Sequence, residues 1–529
     1  MVIIAAQCML IAFWGARKQN FFLDEYHSMR YAQSYTDTSP HPRYITESDL
    51  WRYNTWVPDA DLREMITLEE DESVFRASFG ENVRLFFSGR NYFWLLNAAE
   101  SFFPYGTISA GPAFALNIII FIVSQIIFFG ILNGLDIAPR ISLTAVALYG
   151  SCPLTIAMVL LTRFYAWTNC LFLIVLLLHL IMWKTVRIAP RLICEGLSAL
   201  CLYLAFQNSE LIFIFGGSLM IMFSVLLAVR KRWSQLAYYA LPVLGAGILY
   251  VSKTTGFFYL LFHVRTNVAE APYNVRNMSA AILELTPGAF FTRVAELLRM
   301  LGEQLFTTPL IMAAFAVLFA VVVIALFRKK GTHRSDESMW VIFVGISAVI
   351  NVLFLILTNL KEERYHYMNV SVIVLVLFYV IDRGYRLRKG QAEETKRKVP
   401  LYALPVILTV LVVVVAFPLG HISYLRTEDS AMLEELEPYE GYDIAVVSDH
   451  HLNSYQAVVW GDEDSMICVV PRDPSAFTAT DLPDRFLFMI LDGSDFSGYD
   501  RTLSEEGYET EYLGTLNRSD VYDCYSVSE

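Results

Sequence analysis

The sequence has little charge for its length. Only 17% of its 529 residues are Asp, Glu, Lys or Arg, whereas a soluble domain carries about 25%. Hydrophobic residues make up 55% of the chain and the mean hydropathy is +0.45. This composition excludes an ordinary soluble protein and indicates a chain that crosses a membrane several times. A basic soluble stretch interleaved with aromatic residues is also lacking, so no nucleic-acid partner is expected.

Cysteine is scarce as well, and none of the seven residues forms a Cys-x-x-Cys or other zinc-binding spacing. Five lie in or beside apolar runs, where cysteine behaves as a small buried hydrophobic residue: Cys8, Cys152, Cys170, Cys194 and Cys201. Cys468 and Cys524 lie near the end of the chain. Whether these two form a disulfide stays open, since that requires an extracytoplasmic location.

Lysine is missing from the last part of the chain. Residues 421–529 contain 24 acidic residues and five arginines, a net charge of −19, while the remainder of the chain is basic, at +7. A basic membrane part and an acidic tail are typical of opposite sides of a bilayer.

The tail alternates short apolar runs with acidic turns, which is typical of strands in a small α/β domain. Strands are predicted at 442–448, 465–470, 485–491 and 520–527, with helical pieces between them, for example around 428–438. No glycine-rich phosphate loop occurs. Asp449-His450-His451 has metal-ligating residue types. Adjacent positions in a strand point to opposite faces, and a loop is expected there, so no metal site is predicted.

The apolar stretches that are long enough, or nearly long enough, to cross a bilayer number about eleven. They are 2–16, 112–133, 141–161, 166–183, 193–206, 211–229, 236–251, 308–327, 339–359, 366–381 and 400–418. The first has no basic N-terminal region and no clear cleavage site, so it is interpreted as a retained, short first helix whose true start is left open.

The connecting loops decide the orientation of these helices. Loops 134–140, 184–191, 230–232, 328–338 and 382–399 together hold 18 Lys and Arg, whereas the alternate loops 162–165, 207–210 and 360–365 hold three. The positive-inside rule places the first set in the cytoplasm. Eleven crossings then put the N-terminus inside the cell, and they put the loops 17–111 and 252–307 and the tail outside.

The predicted fold class is therefore mainly α. A polytopic membrane helix bundle of about 11 transmembrane helices occupies residues 1–420, and a small extracytoplasmic α/β domain occupies residues 421–529. The two long outer loops contain amphipathic stretches at 81–103 and 289–305, which are typical of helices that lie in the membrane interface. They either pack over the bundle or wall off a lateral lipid entrance.

Four charged segments converge on the predicted outer face: the loop with Asp24-Glu25, the short loop with Arg163, the long loop with His263 and Arg265, and residues 361–366. Transfer of a sugar from a polyprenyl phosphate would need a carboxylate to deprotonate the acceptor hydroxyl. It would also need cations for the departing phosphate, preferably arginine. No nucleotide-binding fold is required, because the donor arrives attached to lipid.

Three segments stand in the order of the motifs of a known family. Residues 21–28 (FFLDEYHS) place an acid pair after the first helix, residues 163–167 (RFYAW) begin a helix at the outer face, and residues 363–365 (ERY) precede a late helix. Together with topology and loop lengths over roughly residues 1–420, they resemble the GT-C superfamily of integral-membrane glycosyltransferases. The resemblance is strongest to bacterial relatives of the protein O-mannosyltransferases and the aminoarabinose transferases.

The resemblance implies a role for each matching residue. Asp24 would be the catalytic base and Glu25 would orient the acceptor or the base. Arg364 would bind the donor phosphate, Arg163 and Tyr365 would lie near the same headgroup, and Lys361 would be a second phosphate contact. Acceptor or groove contacts are expected from Tyr26, His27, Arg90, Tyr165, His263 and Arg265.

The same resemblance implies the reaction and its partners. The enzyme would be an inverting transferase in a bacterial cell membrane, with a polyprenyl-phosphate-linked sugar as donor, among membrane lipids. The acceptor would be a cell-envelope glycan, a lipid or a protein. Some family members use a divalent metal ion at the acidic motif, so an ion at Asp24 and Glu25 stays open. We expect none, because no further acid is placed beside them.

One segment departs from the family pattern. Many relatives carry a His-Pro-Pro-like segment where the second interfacial helix begins, and in this chain that stretch is Ser88-Gly89-Arg90-Asn91-Tyr92. An altered acceptor side follows from this difference.

Two other classes of function compete with the transferase. A transporter or flippase of lipid-linked sugars would carry charged residues inside its helices, and in this chain Glu195 is the main one. A non-enzymatic scaffold would leave the long first outer loop without a purpose. The clustering of polar residues outside the helices favours chemistry at the membrane surface.

Overall fold

The structure is a computed structural model. It describes residues 1–18, 21, 23–33, 53–88, 91–185, 187–209, 211–240, 244–245, 278, 280–328, 336–392, 403–419, 422–425, 434, 436–439, 441–447, 465–478, 482–491, 495–517 and 521–528.

Helices dominate the described part of the first four fifths of the chain. In chain order they are α1 (Val2–Gly15), α2 (Leu23–Gln33), α3 (Asp59–Glu64), α4 (Phe79–Ser88), α5 (Asn91–Glu100), α6 (Gly111–Gly134), α7 (Pro139–Ser151), α8 (Pro153–Leu160), α9 (Tyr165–Lys184), α10 (Ile188–Asn208), α11 (Ile212–Val229), α12 (Pro287–Gln304), α13 (Pro309–Arg328), α14 (Asp336–Leu357), α15 (Glu363–Ala392) and α16 (Ala403–Leu419). A short helix, α17 (Ser497–Glu505), follows in the tail.

Within the described residues, seven helices are long and apolar enough to cross a membrane: α6, α9, α10, α11, α13, α14 and α15. The pair α7 and α8 passes the same test as one broken span with a bend of 53°, which falls where Pro153 cannot continue the preceding helix. Shorter apolar helices cover the predicted spans at 2–16 and 400–418. Of the eleven predicted spans, 236–251 lies mostly outside the described residues. The prediction of a helical, multi-pass membrane protein is confirmed.

The chain forms two compact units. The membrane unit comprises Met1–Ala12, Ile118–Val159 and Phe164–Ile422. The loop–tail unit comprises Phe13–Asn117, Leu160–Arg163 and Ser423–Glu529. The domain limits at residues 420 and 421 stay a prediction, but the first long loop and the tail fall in one unit rather than in two.

A six-stranded sheet explains why the loop and the tail fold together. Its strands are β1 (Trp56–Pro58), β2 (Asp443–Val447), β3 (Met466–Val470), β4 (Arg485–Leu491), β5 (Glu509–Asn517) and β6 (Val521–Ser528). The spatial order is β1-β3-β2-β4-β6-β5, with β2 parallel to β3 and β4 and the other pairs antiparallel. The four strands predicted in the tail are present at nearly the predicted positions. The sequence interpretation missed β5, and it missed β1 because that strand comes from the first loop.

Both faces of this sheet are buried. On one face, Ile444, Val446 and Ile467 pack with Tyr26 and Met29 of α2. The opposite face, with Ala445, Val447 and Phe488, packs with Tyr499 and Leu503 of α17. Strands covered on both sides are apolar at every position rather than at alternate ones, as the run DIAVV in β2 illustrates. The sheet is thus the support on which α2 rests.

The structure excludes a disulfide between Cys468 and Cys524, which are both free. Cys468 lies on β3 and Cys524 on β6, three strand positions apart, which corresponds to about 14 Å. Their side chains also belong to opposite faces of the sheet. A disulfide needs Cα atoms within about 7 Å.

The amphipathic stretch predicted at 81–103 consists of two helices, α4 and α5. The exposed side chains of Phe79 and Phe87 lie on α4. The stretch predicted at 289–305 corresponds to α12. The choice between packing and a lipid entrance remains a prediction for both.

The start of α7 depends on a buried acid from another helix. Asp382 of α15 is fully buried and accepts a hydrogen bond from the backbone N–H of Ala138 over 3.0 Å, where α7 has no side-chain cap of its own. Arg386 Nε donates to the other carboxylate oxygen over 2.7 Å. We expect Asp382→Ala to lower the free energy of unfolding by about 1–3 kcal/mol, since a cap and a charged hydrogen bond are lost together.

Thermal unfolding of the detergent-solubilised protein checks this expectation. Asp382→Asn is the matched control, because its amide oxygen can still accept from Ala138, and it should lose less. An unchanged melting temperature for Asp382→Ala would contradict the assigned role.

Candidate active site

The acid pair lies in the first turn of α2, where the partial positive charge of a helix N-terminus stabilises carboxylates. The two acids have different surroundings. Glu25 is fully buried, whereas the side chain of Asp24 is 23% exposed. The structure therefore gives distinct positions to two residues that the sequence could not tell apart.

Glu25 is anchored by an ion pair and a backbone amide. Lys18 Nζ lies 2.6 Å from Glu25 Oε1, and both side chains are buried. The backbone N–H of Thr162 donates to the same oxygen over 2.8 Å. A buried carboxylate needs such partners, because an uncompensated charge away from water is strongly destabilising.

Asp24 faces Arg163. Nη2 of Arg163 lies 3.4 Å from Oδ1 of Asp24, and Nη1 donates to the hydroxyl of Ser28 over 3.3 Å. Ser28 lies one turn along α2, and its hydroxyl donates to the backbone carbonyl of Asp24 over 3.0 Å. The predicted base and one predicted phosphate-binding arginine are therefore brought together.

The neighbours of the acid pair in α2 have different surroundings. Tyr26 is fully buried and packs in the core beside the sheet, so its position does not suit the acceptor or groove contact expected of it. The ring of His27 stacks on Tyr31 with centroids 6.3 Å apart, and Tyr31 stacks on Phe93 of α5. His27 is only partly buried.

Arg364, Tyr365 and Tyr165 lie together in the membrane unit. Arg364 and Tyr365 occupy the first turn of α15. The Arg364 side chain is 10% exposed, its Nη2 lies 2.5 Å from Glu362 Oε2, and its guanidinium carbon lies 5.2 Å from the centre of the Tyr365 ring. The Tyr365 ring is edge-on to Tyr165 with centroids 6.4 Å apart. Both an arginine fork and a helix N-terminus attract phosphate oxygens.

Lys361 has an acidic partner near the same end of α15. Its Nζ lies 3.0 Å from Glu296 Oε2 of α12, and both side chains are about half exposed. The pair lines a pocket in the membrane unit, together with the buried His366. Arg293, also in the lining, donates to the carbonyls of Ile356 and Leu357 at the end of α14. The role of Lys361 as a phosphate contact stays a prediction.

Other predicted positions lie outside the described residues. They are Arg90, His263 and Arg265, and also Asp449-His450-His451. Within the part of the chain that the structure describes, no group of three or more His, Cys, Asp or Glu side chains could hold a metal ion. At the acid pair, the ammonium group of Lys18 already supplies a positive charge to Glu25.

Sequence reasoning missed Lys18 and Ser28 beside the acid pair, and it missed Asn117, which binds the backbone carbonyl of Leu161 close by. Lys18 carried one recognisable signal. It is a lysine directly after the first apolar helix, on the side where the positive-inside rule expects few basic residues. The contacts of Ser28 and Asn117 depend on tertiary structure and have no counterpart in the local sequence.

Glu100 on α5, in the loop–tail unit, has an enclosed carboxyl oxygen. Burial, together with the charge of Glu72, raises the pKa of Glu100 well above its usual range, and its enclosed Oε2 has no hydrogen-bond partner among the described residues. Because the folded protein favours the protonated form of Glu100, this group contributes to the free energy of unfolding in a pH-dependent way. The contribution is fully present below the unfolded pKa of about 4.3 and is lost as pH rises through the folded pKa. We expect the melting temperature of Glu100→Gln to fall less as pH rises, and to be higher than that of wild type at neutral pH.

Melting temperatures between pH 5 and pH 8 in detergent test this expectation. Glu64→Gln, at an exposed position in α3, is the control that should keep the wild-type pH dependence. The same dependence in Glu100→Gln would contradict the assignment.

The fold can be compared with known structures. The chain is a multi-pass membrane helix bundle with an appended sheet, and an acid pair and arginines lie at helix ends. This fold is similar to that of two solved structures of another membrane protein.

Both structures are of ArnT from Cupriavidus metallidurans. The chain is similar to ArnT from Cupriavidus metallidurans bound to undecaprenyl phosphate, with a TM-score of 0.51, 10% identity, and coverage of 99% of this chain and 97% of that chain. The apo state of the same protein gives a TM-score of 0.51 at 12% identity, with the same coverage of both chains. A structure of the arabinofuranosyltransferase AftD from Mycobacteria gives only 0.37 at 12% identity, over 99% of this chain and 40% of that one. No protein-family model and no curated protein matches the sequence.

Proposed function

We propose that the protein is a membrane glycosyltransferase that moves a sugar from a polyprenyl-phosphate donor to a hydroxyl of a cell-envelope glycan, lipid or protein. Asp24 takes the proton of the acceptor hydroxyl. The acceptor oxygen then attacks the anomeric carbon as the bond between that carbon and the phosphate oxygen breaks. The configuration at the anomeric carbon is inverted, and polyprenyl phosphate leaves with the bonding electrons.

The observation that carries this proposal is the position of Asp24. It is the less buried acid of the pair, it lies at a helix N-terminus, and its neighbour at 3.4 Å is an arginine. A base that receives a proton must be reachable by the acceptor, and an arginine fork matches a phosphate leaving group. A protein with this fold is bound to undecaprenyl phosphate in its crystal structure, which supports a donor of that chemical class.

The proposed location is the outer face of a bacterial cell membrane. The charge distribution of the loops supports a cytoplasmic N-terminus, because the five basic loops hold 18 of the Lys and Arg residues. The acid pair, Arg163, Arg364 and the acidic tail then share the outer side of the membrane. The lipid-linked donor would have to reach that side before it is used.

A transfer assay tests the proposal. The purified full-length protein is incubated with synthetic polyprenyl-phosphate sugars, and a bacterial membrane fraction serves as the source of acceptors. We expect the donor to be consumed, free polyprenyl phosphate to be released, and labelled sugar to become bound to the acceptor fraction. Unchanged donor for every sugar tried would overturn the proposal, and movement of intact donor across proteoliposomes would identify a flippase instead.

Adding a chelator to the same assay tests whether transfer requires a metal ion. Because Lys18 already supplies the positive charge beside Glu25, transfer should persist in excess EDTA. Loss of transfer that Mg²⁺ or Mn²⁺ restores would show that the acid pair works with a divalent ion.

A further inference from the structure

The turn between α8 and α9 is held by three side chains at three successive residues. Lys18 Nζ donates to the carbonyl of Leu160 over 2.9 Å. Nδ2 of the fully buried Asn117 donates to the carbonyl of Leu161 over 2.9 Å. The backbone N–H of Thr162 donates to Glu25. The next residue in the chain is Arg163, which faces Asp24.

Lys18 makes one of the three contacts that fix this turn and supports a second through Glu25. It binds the turn directly through Leu160, and it binds Glu25, which holds the turn through Thr162. Its side chain is 7% exposed, so water replaces little of either interaction. One ammonium group therefore ties the start of α2, which carries Asp24, to the turn that carries Arg163.

The buried ion pair between Lys18 and Glu25 is better explained by the position it fixes than by the stability it adds. Burying a lysine and a glutamate is often no more stabilising than an apolar pair of similar size. An ion pair that crosses between two segments does, however, fix their relative position, since ammonium and carboxylate must stay within hydrogen-bond distance. Arg163 has a long side chain with many rotamers, and a fixed backbone beneath it reduces the entropy that donor binding would cost.

We propose that Lys18 is a positioning residue, which holds the Leu160–Arg163 turn so that the Arg163 guanidinium faces Asp24 and is ready for the donor phosphate. This inference rests on the proposed function. Lys18 touches neither donor nor acceptor in this role, and its effect reaches the donor only through Arg163.

A double-mutant cycle separates this role from a general structural one. Binding of undecaprenyl phosphate to the full-length protein in detergent is measured for wild type, Lys18→Met, Arg163→Ala and the double variant. We expect affinity to fall about tenfold in Lys18→Met and about 30-fold in Arg163→Ala. The double variant should bind as weakly as Arg163→Ala and no weaker, because Lys18 acts through that arginine.

Three further variants make the result interpretable. Arg17→Met removes a neighbouring positive charge whose guanidinium donates to the carbonyl of Phe13 in its own helix end, and it should bind normally. Lys18→Arg keeps the charge and should stay within about threefold of wild type. If Lys18→Met does not fold, the cycle is run in Lys18→Met with Glu25→Gln, which leaves no buried charge unpaired.

The outcomes are distinct. Additive losses in the double variant, or normal binding by a folded Lys18→Met, would overturn the role of Lys18 alone. If wild type itself does not bind undecaprenyl phosphate, the proposed function fails, and the role of Lys18 fails with it. A double variant equal to Arg163→Ala supports the inference.

Discussion

Replacement of Asp24 by Asn is expected to lower kcat for sugar transfer by about 10³-fold, because a positioned general base contributes between about 10² and 10⁴. The amide has nearly the shape of the carboxylate but cannot accept the acceptor's proton. Asp24 is partly exposed and pairs with Arg163 across 3.4 Å, so the variant should fold and should still bind the donor. Rates with a synthetic polyprenyl-phosphate sugar at saturating donor measure the effect.

The matched control is Asp61→Asn. Asp61 is also an acid in the first turn of a helix of the same unit, but it is exposed on α3. Its loss should leave the rate unchanged. If Asp24→Asn transfers sugar at a rate near that of wild type, Asp24 is not the base.

Arg364→Ala is expected to weaken donor binding by about 10- to 100-fold, the worth of one or two charged hydrogen bonds to a phosphate. Its side chain is largely buried, and it lies at the first turn of α15 beside Tyr365. Arg364→Lys should recover only part of the loss, since an ammonium group cannot form the two parallel bonds of a guanidinium. Binding of undecaprenyl phosphate provides the measurement.

Arg299→Ala supplies the comparison for that experiment. Arg299 lies on α12 of the same unit with a side chain that is 79% exposed, and its partner is Glu303 in the next turn. An exposed pair of this kind contributes little, so donor affinity should not change. Equal affinity for Arg364→Ala and wild type would remove Arg364 from the donor site.

Much of the membrane part could be predicted because a bilayer constrains local sequence. A helix that crosses hydrocarbon must be about 20 residues long and apolar, and α6 and α14 show this directly in their sequences. The broken pair α7 and α8 was predicted as one span, because hydropathy averages over a bend. The tail strands were predictable for a related reason, since each is a short apolar run between acidic turns.

The contacts that build the site could not be predicted. β1 is three residues long, and nothing local in Trp56–Pro58 reveals that its partner is β3. Asp24 and Glu25 carry the same charge in the same turn, and only their burial and their partners in the folded chain distinguish them. Their partners lie about 140 residues away in the case of Thr162 and Arg163. Pairings over such distances depend on how the chain folds back, which one sequence does not record.

The packing of α2 on the sheet has a consequence for biosynthesis. The helix that carries Asp24 packs on strands near residues 444 and 467. The ribosome synthesises these strands about 400 residues after the helix. At about 5–20 residues per second, that delay is about 20–80 s. Contacts this distant in sequence form late. A nascent chain would therefore have most of its apolar spans inserted in the membrane before the sheet that supports α2 exists. Synthesis of the tail would then be the step that completes the site.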